Sequence, residues 1–331
     1  MNKILFISTE RIGDSIALTP SIRAAANFFK DSEIHLICKK SNYPIFYGNK
    51  YIKKIHIVSS ARLIATKFLF LKKNYEICFC YSVNISYILF AARISKKVKV
   101  FNNRNFETSK KNIEVSVLPP ENSRDDIHIS IEKFRLLEEL GIKESSFRYD
   151  FSLTEDDISF GENLKNSFYS KFEKIICLKL TSDPKKSYRD WPIERFIQLI
   201  GLILKKNKKI GFFIIGSKLE NALINKVSLK YPDNVYGYYN QSIRQSTSII
   251  SICDLYIGVD TGMTHLATCF NIPIIGLYHD LNPHSRGGPI NYHKDFSLDM
   301  KNFRSKKNVP RDLGIISASE IYKEVIKTIN I

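Results

Sequence analysis

Lys3-Ile4-Leu5-Phe6-Ile7-Ser8-Thr9-Glu10-Arg11-Ile12-Gly13-Asp14-Ser15 opens the chain with an apolar run that breaks into a charged, glycine-bearing turn. Residues 3–8 read as a strand, and an amphipathic helix is expected from about residue 17 to residue 29. Working outward, strand-like runs recur at 33–38, 54–58, 76–81 and 97–101, separated by helical or loop segments. That alternation is the mark of an α/β domain with a mostly parallel sheet.

A second series begins near residue 174, with strand candidates at 174–180, 210–215, 255–259 and 273–278. Pro192 stands at the first turn of a helix whose Phe196, Leu199, Ile200, Ile203 and Leu204 form one apolar stripe. Thr154-Glu155-Asp156-Asp157 pairs an N-cap with an acidic first turn, opening a polar helix read as the link between the two series. Ser317 and Glu320 form a capping box for a last helix that runs to about residue 329. The layout predicts two Rossmann-like halves facing each other across a cleft: residues 1–153, a linker helix at 154–172, and residues 173–331.

Length supports two domains, since 331 residues exceed the usual size of one. Apolar residues make up 44% and charged residues 25%, an ordinary globular balance. No stretch reaches the roughly 18 apolar residues of a spanning helix. The most apolar windows, 61–71 and 85–94, are short and flanked by Lys or Arg. The apolar run at 4–7 is too brief for a signal peptide and meets Glu10 and Arg11 at once, so a cytoplasmic protein is expected. Cys38, Cys78, Cys80, Cys177, Cys253 and Cys269 mostly lie inside apolar runs and read as buried thiols.

The net charge of +17 comes largely from lysine pairs: Lys39-Lys40, Lys53-Lys54, Lys72-Lys73, Lys96-Lys97, Lys110-Lys111, Lys185-Lys186 and the run from Lys205 to Lys209. A solvated surface explains any one pair. Together they imply attraction to polyanions. Nothing matches a zinc finger, an RNA-binding aromatic motif or a long basic helix, so nucleic acid is not the expected partner.

Three segments carry chemistry, each where a strand hands over to a helix. In the first, Asp14 is either a helix N-cap or a general base, and spacing leaves both open. Gly13 is its only glycine, so it is not a dinucleotide fingerprint. In the second, Lys185, Lys186 and Arg189 gather before the Pro192 helix, where cations suit a phosphate. The third is Gly258-Val259-Asp260-Thr261-Gly262-Met263-Thr264-His265, where Thr261 and Gly262 would offer backbone N–H groups as an anion nest. His265 falls one turn later and reads as a packed histidine. The run Gly211 to Lys218 nearly spells a P-loop, but its first glycine lies inside a strand.

Together these segments resemble glycosyltransferase family nine, the lipopolysaccharide heptosyltransferases. Residues 4–20 are similar to the family's opening strand, Arg-Ile-Gly-Asp turn and helix. Arg189-Asp190-Trp191-Pro192-Ile193-Glu194-Arg195-Phe196 resembles its basic-x-Trp-Pro-x-x-x-Phe segment, and Val259 to Leu266 its Asp-Thr-Gly-x-x-His-Leu motif. The resemblance implies a GT-B fold, an inverting transfer without metal or other cofactor, an ADP-heptose donor on the C-terminal half and a lipid-linked glycan acceptor on the N-terminal half. It implies Asp14 as general base with Arg11 and Gly13 on the acceptor side. It also implies Lys185, Arg189, Glu220, Asp260, Thr261, Gly262 and His265 on the donor side, Glu220 as ribose contact. A peripheral place at the inner membrane follows from a lipid-linked acceptor.

The chain departs from the pattern where the family shows Gly-Pro-Thr-x-Pro: it has His279-Asp280-Leu281-Asn282-Pro283, which leaves open whether His279 or Asp280 replaces a donor contact. Arg189 stands for the family's Lys, and Asp190 stands where a basic residue is frequent. A family-nine transferase using another nucleotide sugar is the nearest alternative. A non-catalytic polyanion-binding module would explain the charge but leave three motifs unused, and a nicotinamide-dependent dehydrogenase lacks its glycine fingerprint.

Overall fold

The computed structural model describes residues 2–59, 74–101, 110–116, 127–303 and 312–331. The apolar window at 61–71 and the Lys72-Lys73 pair lie outside the described residues. The chain divides into two units, Met1–Ser152 and Leu153–Ile331.

In the first unit, β1 (Asn2–Ser8), β2 (Ser32–Lys39), β3 (Lys54–Val58), β4 (Tyr75–Cys80), β5 (Ser95–Phe101) and β6 (Ile113–Ser116) form a parallel sheet in the order 3-2-1-4-5-6. Ile4 of β1 lies beside Ile34 of β2 and Ile77 of β4. Leu5, Phe6 and Ile7 are fully buried, so both faces of β1 are covered. A strand covered on both faces needs apolar residues at every position, not every second one. The helices are α1 (Ile12–Ile16), α2 (Thr19–Phe28), α3 (Tyr43–Phe46), α4 (Ile85–Ile94) and α5 (Ile129–Glu138).

The helix expected from about residue 17 to residue 29 is present as α2, but the turn before it also contains a short helix, α1. Helix starts at Ile12, breaks at residues 17–18 and resumes at Thr19 with Pro20 in its first turn. A proline has no N–H and crowds the carbonyl of the turn before it, so α1 cannot continue unbroken into α2, whereas Pro20 is tolerated in the first turn of α2. Asp14 therefore lies inside a short first helix.

The second unit holds β7 (Lys174–Lys179), β8 (Ile210–Ile215), β9 (Val235–Tyr238), β10 (Leu255–Val259), β11 (Ile274–Tyr278) and β12 (Leu298–Asp299), all parallel in the order 12-11-10-7-8-9. Its helices are α6 (Glu155–Phe168), α7 (Ile193–Lys206), α8 (Asn221–Lys230), α9 (Ile243–Ser251), α10 (Gly262–Ala267), α11 (His284–Gly287) and α12 (Ala318–Ile329). Ile176, Leu178, Phe212 and Ile214 pack with α7 and α12 on one face, through Phe196, Leu199, Ile321 and Val325. Ile175, Cys177, Phe213 and Ile215 pack on the other face with α9 and α6. Burying each such side chain stabilises the unit by roughly 1.5–3 kcal/mol.

Helix α6 belongs to this second core. Phe160, Leu164 and Phe168 lie on it, and Ser248 Oγ on α9 donates to the Asp157 carbonyl. Gly161 permits the approach: a Cβ there would sit 2.6 Å from Ser248 Oγ and 3.2 Å from its carbonyl oxygen. The expected caps at Thr154 and Ser317 are both closed boxes, completed by Asp157 and Glu320. All six cysteines are free, and five are buried.

Both sheets reverse their winding between two central strands, β1 and β4 in the first, β7 and β10 in the second. Loops diverge at such a point and leave a crevice beyond the strand ends. The three motif segments follow β1, β7 and β10.

Candidate functional site

In the second unit, the buried carboxylate of Asp260 organises the strand ends. Its Oδ2 accepts from Arg189 Nη1 at 2.7 Å and from Asn282 Nδ2 at 2.6 Å. His265 Nε2, buried on α10, lies 4.0 Å from its Oδ1. Arg189 ends a 3-10 helix, Pro184–Arg189, and its guanidinium lies 5.5 Å from the Tyr188 ring centroid. That ring meets His279 edge-on at 5.3 Å.

Packing fixes this arrangement. Two residues after Arg189, the Trp191 indole is buried against Phe196 and donates to the Ile316 carbonyl at 2.8 Å. The Trp-Pro-x-x-x-Phe segment is thus core that anchors a charged neighbour. Gly287 lets the next loop approach, since a Cβ there would meet Asn282 Nδ2 at 2.8 Å.

Thr261 precedes α10 without a side-chain cap bond, and Gly262 is the first helical residue. A first helical turn has N–H groups with no intrahelical partner, which suits an anion. Thr264 Oγ1 donates back to the Val259 carbonyl at 2.7 Å and ties the turn to β10.

Glu220 belongs to a neighbouring network, at the ends of β7 and β8. Its Oε1 accepts from Lys179 Nζ and from Thr181 Oγ1 at 2.6 Å, and its Oε2 accepts from Ser217 N at 2.8 Å. Burial works against its ionisation, but the Lys179 charge and these hydrogen bonds outweigh it and hold the carboxyl below its usual range. Asp190 accepts from Ser182 N at 2.6 Å, yet burial pushes its carboxyl up. Lys185 is exposed and its amide donates to the Asp183 side chain at 2.9 Å.

The first unit presents a different set. Arg11, exposed, is the residue at the N-cap of α1, and Asp14 sits within the helix's first turn. The cap reading of Asp14 is therefore corrected: its backbone is already helical, and a cap must precede the helix. Gly13, half-buried, lies beside it. Asn42, fully buried, donates to the Ser8 carbonyl at 3.1 Å and to Ser15 Oγ at 2.9 Å, clamping the end of β1 to α1. From α5, Lys133 Nζ reaches Glu10 Oε2 at 2.6 Å and Asp14 Oδ1 at 4.0 Å. The Asp14 side chain is 40% exposed and that of Lys133 only 6%. Burial pushes Glu10 up, further than Lys133 draws it back. Burial alone would lower Lys133, but Glu10 and Asp14 outweigh it and hold the ammonium above its usual value.

Sequence reasoning missed Glu10, Lys133, Lys179 and Asn282. Lys179 had a signal, a lone lysine closing the buried run of β7. Lys133 had none, because only folding brings it beside residues 123 and 119 positions earlier. Among the described residues no group of three or more His, Cys, Asp or Glu is placed to hold a metal, and no helix is long and apolar enough to cross a membrane.

A family model described as glycosyltransferase family 9 (heptosyltransferase) matches residues 129–310. The lipopolysaccharide core heptosyltransferase OpsX of Haemophilus influenzae is 27% identical over 157 residues, which cover 46% of this chain and 43% of that protein. This chain thus matches less than half the length of that curated relative. Among solved structures, the glycosyl transferase family 9 protein of Veillonella parvula superposes with a TM-score of 0.83 at 17% identity, covering 99% of this chain and 97% of that one. The ADP-heptose lps heptosyltransferase II of E. coli gives 0.80 at 14% identity, covering 99% and 98%. At these identities the likeness speaks for the fold.

Proposed function

Because this chain belongs to glycosyltransferase family 9, described as heptosyltransferase, we propose that it transfers a heptose from ADP-heptose to a lipopolysaccharide inner core or a related envelope glycan, with inversion. The family match over more than half of the chain carries the reading. The chemistry of the two strand-end clusters supports it.

On the donor side, Arg189 and the first-turn amides at Thr261 and Gly262 would meet the diphosphate, with Glu220 toward the ribose hydroxyls. The diphosphate then competes with Asp260 for the Arg189 guanidinium, so Asp260 sets the cost of releasing it. Fixed charges and helix dipoles of this kind stabilise a leaving diphosphate. On the acceptor side, the hydroxyl oxygen bonds the anomeric carbon as the bond to the diphosphate breaks. Its proton passes to Asp14, and ADP leaves with the electron pair. A lipid-linked acceptor places the reaction at the cytoplasmic face of the inner membrane.

The departure at His279 to Pro283 favours a second reading, a family-nine transferase for another sugar, because Asn282 is drawn onto Asp260 there. Incubating the protein with ADP-heptose and a heptose-free core acceptor should yield a product heavier by one heptose. Transfer from a different nucleotide sugar in a parallel panel would select the second reading. Nucleotide-sugar binding without turnover across the panel would leave a polyanion-binding module.

A further inference from the structure

We propose that Glu10 and Lys133 are positioning residues that set the basicity of Asp14, an inference that rests on the reading of Asp14 as the proton acceptor. The geometry is that of two carboxylates sharing one buried ammonium. Lys133 Nζ is 2.6 Å from Glu10 and 4.0 Å from Asp14. The Glu10 anion beside the ammonium offsets that positive charge as seen from Asp14, the farther and more exposed carboxylate. An ammonium facing Asp14 alone would make it a weaker base.

Charge balance favours the same assignment. While Asp14 is ionised the three groups carry one net negative charge, and once it has taken the acceptor proton they carry none. The Glu10–Lys133–Asp14 trio thus loses its net charge as the proton arrives, which lowers the cost of holding charge in a partly buried place. Among the described residues, the charged groups around Asp14 and its partners are Glu10 and exposed Arg11 from the loop after β1 and Lys133 and buried Glu132 from α5. Tyr81, just past β4, holds its ring 5.6 Å from Lys133 Nζ and donates its hydroxyl to the Lys133 carbonyl at 3.0 Å. The ammonium is thus pinned at both ends of its side chain.

The test is the acid limb of the pH profile of kcat/KM for transfer from ADP-heptose to a heptose-free core acceptor. Glu10→Gln leaves Lys133 to Asp14 alone, so the limb should move down by about one pH unit and the plateau should fall. Lys133→Met leaves two carboxylates facing each other, so the limb should move up by a similar amount. The double variant Glu10→Gln, Lys133→Met should bring it back toward its original place, and Lys133→Arg should hold it there. The KM for ADP-heptose should stay constant throughout. Glu10→Gln keeps an ion partner for Lys133, so it folds even where Lys133→Met does not. A limb that stays in place in Glu10→Gln overturns the proposal. So does a loss in Glu10→Gln as deep as that in Asp14→Asn at every pH, which would make Glu10 itself the base. Normal turnover in Asp14→Asn sinks the underlying reading by a separate measurement.

Discussion

The crevices beside β1 and beside β10 lie at the same reversal of two identically wound sheets, yet their charges are arranged in opposite senses. Beside β1, two acids share one base, and the outer acid is 40% exposed. Beside β10, one acid that is 5% exposed is surrounded by donors from Arg189, Asn282 and, farther off, His265. A crevice with surplus carboxylate suits taking up a proton, and a crevice with surplus donors suits holding an anion. One backbone plan thus serves two chemistries, and the side chains at the strand ends choose between them.

Asp14→Asn strikes this contrast hardest. Turnover should fall at least about 100-fold, the usual worth of general-base help, while melting temperature and ADP affinity hold. Steady-state kinetics beside a calorimetric ADP titration would read both, and an unchanged kcat would erase the first crevice's role. Arg189→Ala probes the other side. ADP affinity should drop about 10- to 100-fold, as for a lost charged hydrogen bond of roughly 1.5–3 kcal/mol. The variant also strands the buried Asp260, so the melting temperature should fall as well. Arg189→Lys keeps a cation there and should recover part of both the melt and ADP binding. Activity should persist in EDTA, and full loss with chelator would sink the fixed-charge account.

A smaller effect concerns the surface. Lys53 and Lys54 are exposed, whereas Lys96 and Lys97 are paired with Glu76 and Glu114. Reversing Lys53 and Lys54 to Glu should weaken sedimentation with anionic liposomes by about 1 kcal/mol per charge, and salt should do the same. Equal binding to neutral vesicles would remove the case for a charged, peripheral role.

Least in size, but opposite in sign, are two pH effects on stability. Glu220 has a folded value below its unfolded one, so its contribution is full above the unfolded value and fades as pH falls through the folded value. Glu10 has a raised folded value, so its contribution is full below the unfolded value and is lost as pH rises through the folded one. Melts across the acid range should show Glu220→Gln and Glu10→Gln diverging from the parent in opposite directions. Parallel trends would mean the two acids sit in equivalent surroundings.

The alternation of apolar runs made the α/β plan with two parallel sheets legible, and the strands at 54–58, 210–215 and 255–259 fall where periodicity put them. The short strands β6, β9 and β12 escaped notice, since two to four residues at a sheet's outer side give too brief a pattern. The short helix at Ile12–Ile16 escaped for a local reason, since five residues around a charged, glycine-bearing turn are too few to show a helical stripe. Arg189 and Asp260 were each visible as motif residues, but not as partners.

Sequence by itself determined which residues would stand at strand ends, because that depends on local apolar runs and the turns that end them. Tertiary structure alone decided which of those residues meet. Lys133 comes to Glu10 across 123 positions and Asn282 to Asp260 across 22, and in both cases the winding of the sheet sets the distance. A charge in a chain has only an identity; its basicity and its partner arise when folding removes water and places a second charge a few ångströms away.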